Sequence, residues 1–148
     1  PAAFHIEEAK GATEFRPGTY VFNDRNLLNM GYTNETQCAL TVLATIVGRP
    51  APDRVILDTG SKTFSQDRAV TGTGMGHVIG RNNWTVKGLS EEHGLIQVPA
   101  DAELRIGDRL EIIPNHACVV TNLSNTLTLT RGGKVEGVLP VEARGLSQ

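Results

Sequence analysis

The most regular pattern in the chain is a run from Cys38 to Val47, where apolar and more polar positions alternate. The even positions are apolar, and the odd positions carry both threonines, Thr41 and Thr45. Alternation with a period of two is typical of a strand that buries one face. A Gly-Arg-Pro sequence follows at 48–50. The pattern therefore predicts a long strand with one drier face that stops at this sequence.

Shorter segments with β-type patterns follow, cut by Gly, Pro or Asn. Residues 6–10 and 23–30 are predicted to form short helical turns near the N-terminus, and a Gly132-Gly133 turn predicts a hairpin. This spacing predicts a mainly β fold, a small antiparallel barrel or sandwich. The segments predicted as strands are 19–22, 54–57, 77–79, 84–86, 95–98, 109–113, 119–123, 126–130 and 134–139.

Charge and composition exclude several classes of protein. The 14 basic and 16 acidic residues give a net charge of −2 without a basic stripe, which argues against nucleic-acid binding. The longest nearly apolar run, 38–47, is too short to cross a membrane. Two cysteines make no disulfide framework; Cys38 and Cys118 could pair, but a reduced, cytoplasmic protein is favoured. The start at Pro1 rather than Met suggests a piece of a longer chain.

His116 and Cys118 are the most informative candidate ligands for a metal. They lie two positions apart, and in an extended segment residues i and i+2 point to the same side. Imidazole and thiolate together favour zinc over magnesium or calcium, and two protein ligands suit an ion with open positions. The alternative is a half-buried histidine beside a small buried cysteine, which is common in strands.

Three other motifs have simpler interpretations. The glycine-rich segment 71–76 lacks the spacing of a nucleotide-binding loop and is predicted to be a flexible surface loop. Asp58-Thr59-Gly60 resembles the aspartic protease triplet, but that chemistry needs two such carboxylates, so a turn aspartate is favoured. The segment 90–94, which contains Glu92 and His93, is interpreted as a polar turn when taken alone.

Four segments in this order resemble one family: Arg16–Asp24, Asp58–Lys62, Ser90–Gly94 and Ile113–Cys118. They are similar to the C-terminal part of the D-threonine aldolase and D-serine dehydratase family, the alanine-racemase-like, fold-type III pyridoxal phosphate enzymes. The resemblance covers nearly the whole chain. It implies an N-terminal α/β barrel that holds pyridoxal phosphate on a lysine, and a C-terminal β-domain at the active-site mouth of a homodimer. By this resemblance 1–24 is the tail of the barrel and the connection, and 25–148 is the C-terminal β-domain.

The resemblance also implies roles for individual residues. His116 and Cys118 would bind the metal. Histidine with aspartate is typical of the aldolases, which use a manganese-like ion, whereas histidine with cysteine is typical of the zinc-dependent dehydratases, so Cys118 favours zinc. Tyr20 and Asp24 are candidate catalytic residues that would line the cleft. Glu92 and His93 are candidates for orienting the metal ligands.

The expected function follows from the same resemblance. The chain would be the metal-binding domain of a pyridoxal phosphate-dependent lyase acting on β-hydroxy-D-amino acids, with the barrel, a second copy and a small D-amino acid as partners. The cofactor would act as an electron sink, and the ion would act as a Lewis acid on the substrate's β-hydroxyl.

The chain departs from the family in one respect. None of its lysines lies in the family's cofactor-binding context, so the chain alone is expected to be inactive. Its lysines are Lys10, Lys62, Lys87 and Lys134. Two alternatives stay open: a stand-alone β-barrel binding module without catalysis, and a structural domain in which the histidine and cysteine are core residues.

Overall fold

β-Strands form most of the regular structure in the computed structural model of this chain, which describes residues 2–146. The strands are β1 (Val42–Ala51), β2 (Arg54–Leu57), β3 (Gly76–Val78), β4 (Thr85–Leu89), β5 (Gly94–Gln97), β6 (Arg109–Pro114), β7 (Thr126–Arg131) and β8 (Lys134–Pro140). The α-helices are α1 (Arg25–Asn29), α2 (Ser61–Phe64) and α3 (Ala117–Leu123). Short 3₁₀ segments cover Ala2–Glu8, Thr19–Val21 and Glu35–Gln37.

Six strands form one antiparallel sheet in the order β3-β6-β1-β2-β5-β4. Its two edge strands approach each other, and the N–H of Met75, next to β3, donates to the carbonyl of Val86 in β4 at 2.9 Å. The sheet is therefore a nearly closed barrel, which confirms the predicted fold class. Strands β7 and β8 pair as a separate hairpin through the Gly-Gly turn.

Side chains from one face of β1 pack into the interior of the barrel. Val42, Ala44 and Ile46 are buried, whereas Leu43 and Val47 are exposed. The one-sided burial confirms the drier face, but the strand's limits were predicted wrongly: it begins at Val42 and continues to Ala51. It passes through 48–50 because its pairing with β2 is irregular there, and an irregular ladder accommodates proline and glycine.

Two predicted strands are wrong. Residues 19–22 contain a 3₁₀ turn, and residues 119–123 belong to helix α3. The β-branched residues of the second segment favour a strand by propensity. In the folded chain, however, Ala117 and Val120 are both buried, at a helical spacing of three. Tertiary packing thus overrides local preference.

The remaining predicted strands are confirmed within a few residues, as are the short helical turns near the N-terminus. Cys38 is buried, Cys118 is exposed, and both are free thiols. Across residues 2–146, the helices are too short or too polar to cross a lipid bilayer.

Candidate metal site

Asp24 joins the starts of two helices that are distant in sequence. Its side chain is buried; Oδ1 accepts from the N–H of Leu27 at 3.2 Å, and Oδ2 accepts from the N–H of Ala117 at 3.3 Å. The first bond caps α1, and the second fixes the first residue of α3. Both oxygens of this predicted catalytic residue are therefore used in holding backbone, and they determine where α3 begins.

His116 and Cys118 lie at this N-terminus of α3. His116 is the N-cap residue with an extended backbone, but Cys118 is already inside the helix, so the prediction that both lie on one extended segment is wrong. Cys118 is exposed, and its Sγ lies 3.7 Å from Oγ1 of Thr19. Thr19 and His116 line the same cavity, so the Cys118 thiol lies next to the wall of the cavity that contains His116.

Asp67 holds the ring of His116. Oδ2 of Asp67 lies 2.8 Å from Nδ1 of His116, and both side chains are about two-fifths exposed, at 42% and 41%. An ionised carboxylate only accepts, so Nδ1 carries the hydrogen and the lone pair of the neutral ring lies on Nε2. A carboxylate on the second ring nitrogen is the arrangement that orients metal-binding histidines. Asp67 could not be found from the sequence, because nothing in the local pattern links residues 49 apart.

The buried side chain of Asn115 fixes the backbone around this pair. Its Nδ2 donates to the carbonyls of Asp67 at 2.9 Å and of Gly74 at 3.0 Å. Its Oδ1 accepts from Nη1 of Arg25 at 3.0 Å. Burial lowers the pKa of the Arg25 guanidinium. Asn115 directly precedes His116, and its side chain thus links helix α1 to the loop of Asp67.

A cavity of about 600 Å³ opens beside these groups. It lies between the 3₁₀ turn at Thr19, helix α1 and residues 66–70, with Asp24 and His116 in its wall. Tyr20, the other predicted catalytic residue, is 63% exposed on the 3₁₀ turn and is not part of this wall.

Glu92 and His93 belong to a different turn. Oε1 of Glu92 lies 3.0 Å from Nζ of Lys62, and this hydrogen bond lowers the pKa of Glu92. The preceding residues accept hydrogen bonds from the first turn of α2. Asp67, and not Glu92 or His93, is therefore the residue that contacts the ring of His116.

Two other motifs have structural roles. Oδ1 of Asp58 accepts from the N–H of Thr45 at 2.7 Å, as expected of an aspartate at a turn. The segment 71–76 lies at the surface, but it is anchored rather than flexible, because Asn29 and Arg25 donate to its carbonyls.

The donor set fits a zinc ion with open positions. Nε2 of His116 and Sγ of Cys118 are a borderline-soft pair, and the ring is already oriented by Asp67. Within residues 2–146, histidine, cysteine and carboxylate side chains nowhere gather in threes around a possible ion. His116 and Cys118 are therefore two candidate ligands, and a complete coordination shell would need groups from elsewhere.

Comparison with known families identifies the class of protein. Residues 39–130 match the family model described as "Putative serine dehydratase domain". This chain belongs to that serine dehydratase domain family.

The relatives fall into two groups by length. The chain is 36% identical over 130 residues to an uncharacterised protein of Mycobacterium tuberculosis, and the match covers 84% of this chain and 98% of that protein. It is 32% identical over 139 residues to the D-threonine aldolase of Arthrobacter sp., where the match covers 92% of this chain but 35% of the aldolase.

Solved structures of larger proteins also match this chain over only part of their length. The D-threo-3-hydroxyaspartate dehydratase of Delftia sp. superposes with a TM-score of 0.78 at 31% identity, over 89% of this chain and 40% of that one. An alanine-racemase-like protein of Idiomarina loihiensis gives a TM-score of 0.73 at 26% identity, over 83% of this chain and 36% of that one. The chain thus spans 35–40% of these larger proteins and corresponds to one part of them.

Proposed function

We propose that this chain is the metal-bearing β-domain of a pyridoxal phosphate-dependent lyase acting on β-hydroxy-D-amino acids, and that His116 and Cys118 bind zinc. The observation that carries the proposal is the pairing of Asp67 with Nδ1 of His116 at 2.8 Å beside the cavity wall. This pairing leaves Nε2 as the ligand atom, and the exposed Cys118 thiol on the first turn of α3 supplies the second ligand.

Variants of the related dehydratase support the metal assignment. Solved structures of D-threo-3-hydroxyaspartate dehydratase include one with alanine in place of a histidine and one with alanine in place of a cysteine two positions further on. The structure of the cysteine variant is described as the metal-free form. The same spacing separates His116 from Cys118 in this chain.

The residues of this chain would position the site rather than carry the bond-breaking step. Asp67 orients His116, Asp24 fixes the start of α3, and Asn115 holds the loop of Asp67 in place. When bound, zinc would supply Lewis acidity to the substrate's β-hydroxyl, and pyridoxal phosphate on an upstream domain would supply the electron sink. We propose that Tyr20, exposed beside Thr19, faces a substrate or a second domain rather than the metal ligands.

The substrate class follows from the relatives. The names of these enzymes specify D-threonine and 3-hydroxy-D-aspartate, which both carry a β-hydroxyl. A D-amino acid without a β-oxygen gains little from a Lewis acid at this position. We therefore propose that the substrate of the full-length protein is a small D-amino acid with a β-hydroxyl, and that the protein works as a cytoplasmic homodimer.

The test uses the full-length gene product with D-serine, D-threonine and 3-hydroxy-D-aspartate. Ammonia release reports dehydration, and glycine release reports aldol cleavage. We expect a chelator to abolish turnover of these substrates and zinc to restore it, while any racemisation of D-alanine persists. Equal chelator sensitivity of D-alanine and D-serine would contradict the proposed role of the metal.

A second candidate is a stand-alone binding module of the same fold. The observation in its favour is the mycobacterial relative, because the match covers 98% of that protein. A domain of this kind therefore occurs in a protein of about its own length. Zinc binding without lyase activity in a gene product that has no barrel domain would favour this candidate.

A further inference from the structure

A second cavity, of about 480 Å³, lies next to the first. The two cavities share Gln66 and Arg68 in their walls. The rest of the second wall comes from Ala69, from the glycine-rich loop 72–75 and from residues 87–89 of β4. Among its described lining residues, Arg68 and Lys87 are cationic and none is acidic. The lining therefore favours a negatively charged occupant.

The two cations of this wall are available to a ligand. Arg68 and Lys87 are exposed, and neither forms an ion pair or a side-chain hydrogen bond within the described part of the chain. By contrast, Nζ of Lys62 lies within 3.1 Å of carboxylate oxygens, and Arg25 donates to backbone carbonyls.

The backbone of the loop adds two further donors. The carbonyls of Thr71 and Thr73 accept from Asn29 and Arg25 on the side of α1. In a planar trans peptide the N–H points opposite to the preceding carbonyl, so the N–H groups of Gly72 and Gly74 point away from α1.

The N–H of Met75, further along the loop, shows which strand lies on the side away from α1. The carbonyl of Gly74 also faces Arg25, and the N–H of Met75 donates to Val86 of β4 at 2.9 Å. The N–H of Met75, which also points away from α1, thus meets β4, and Gly72 and Gly74 line the same cavity as Lys87 of that strand. Across residues 2–146, those of Gly72 and Gly74 donate to no protein group.

Close packing fixes the shape of this loop. Gly74 has a φ of +94°, and a Cβ there would lie 3.0 Å from Thr85 Cγ2 and from the carbonyl oxygen of Val86. Gly72 also has a positive φ, of +80°. A positive φ favours glycine at both positions. The hydrogen bonds from Asn29 and Arg25 to the loop carbonyls hold the backbone donors in this arrangement.

We propose that this second cavity binds a phosphoryl group, as inorganic phosphate or as part of a small phosphorylated metabolite. Arg68, Lys87 and two loop N–H groups present donors from different directions, which suits a tetrahedral oxyanion better than a planar carboxylate. Because Arg68 also borders the first cavity, the bound anion lies next to the site of His116. This proposal does not depend on the metal assignment.

The test is a titration of the full chain with inorganic phosphate, followed by calorimetry and by the backbone amide NMR signals. We expect saturable binding, with shifts at Gly72 and Gly74. Arg68→Gln and Lys87→Gln should each weaken the binding about tenfold or more, because a charge-assisted hydrogen bond is lost. Both side chains are exposed, so the variants should fold, and circular dichroism verifies this.

The matched control is Lys134→Gln in the distant hairpin, which should leave the affinity unchanged. Absence of saturation, or equal weakening by Lys134→Gln and Lys87→Gln, would overturn the proposal, since the latter result indicates a general charge effect. Tighter binding of malonate than of phosphate would also overturn the phosphoryl assignment.

Discussion

Asp67 and His116 are 49 residues apart in sequence, yet their side chains meet at 2.8 Å in the wall of the first cavity. The carboxylate fixes both the tautomer and the orientation of the imidazole. A histidine held in this way is preorganised to bind an ion through Nε2. The pairing is the main reason to regard His116 as a ligand rather than as a core residue.

Replacement of Asp67 should weaken zinc binding more than it weakens the fold. Loss of the carboxylate on a metal-bound histidine typically costs about 10–100-fold in affinity. The pair is about two-fifths exposed, so the free energy of unfolding should change by less than about 1 kcal/mol. Competition with a chromophoric chelator measures the zinc affinity of Asp67→Ala. Asp101→Ala, at an exposed turn, is the control; equal affinities of the two variants would contradict the orienting role.

Asp24→Ala should destabilise the isolated chain. The change leaves the N–H groups of Leu27 and Ala117 without their buried acceptor, so we expect a loss of about 2–4 kcal/mol in unfolding free energy. Asp24→Asn keeps one acceptor and should lose less. Denaturant unfolding measures both. A variant as stable as the parent would contradict this structural role of Asp24.

Asn115→Ala should destabilise the chain near the site while leaving both candidate metal ligands in place. It removes an acceptor from Arg25 and donors from two carbonyls, and the side chain is 2% exposed. We expect a loss of about 2–4 kcal/mol, together with weaker zinc binding as the loop of Asp67 relaxes. The exposed Asn82→Ala is the control. Unchanged stability would mean that water replaces the amide.

Acidification should weaken the fold through Glu35. The hydrogen bond between its carboxylate and Nε2 of His77, at 2.6 Å, holds the pKa of Glu35 below its usual value. Because the folded state depresses this pKa, the contribution is complete above the unfolded value of about 4.3 and is lost as the pH falls through the lower, folded value.

Denaturant titrations between neutral pH and about pH 3 test this account. The parent should lose stability steadily below about pH 4.5, and Glu35→Gln should show a shallower loss from a lower starting point. Glu103→Gln, at an exposed loop position, should follow the parent. Parallel curves for the parent and Glu35→Gln would contradict the assignment.

Most of the fold could be predicted from the sequence because local patterns encode it. Alternation in β1 and the double-glycine turn before β8 are local signals, and both are confirmed. The helix at 117–123 was missed because its β-branched residues favour a strand, whereas burial of Ala117 and capping by Asp24 decide the outcome.

The candidate site could be predicted only in part. His116 and Cys118 are neighbours in sequence, so spacing alone draws attention to them. Asp67 and Arg25 reach the site from distant segments, and the two backbone contacts of Asp24 join segments 93 residues apart. Contacts made by tertiary folding leave no periodic signal in a single sequence.

Cobalt titration of the full chain is the most direct test, because thiolate coordination to cobalt gives a charge-transfer absorption in the near ultraviolet. The account predicts a saturable band that is absent from Cys118→Ala, strongly weakened in His116→Ala and retained in Cys38→Ala, the chain's other free thiol. Zinc should displace the cobalt and abolish the band. A band that survives in Cys118→Ala, or that disappears only in Cys38→Ala, would contradict the assignment of the metal to His116 and Cys118.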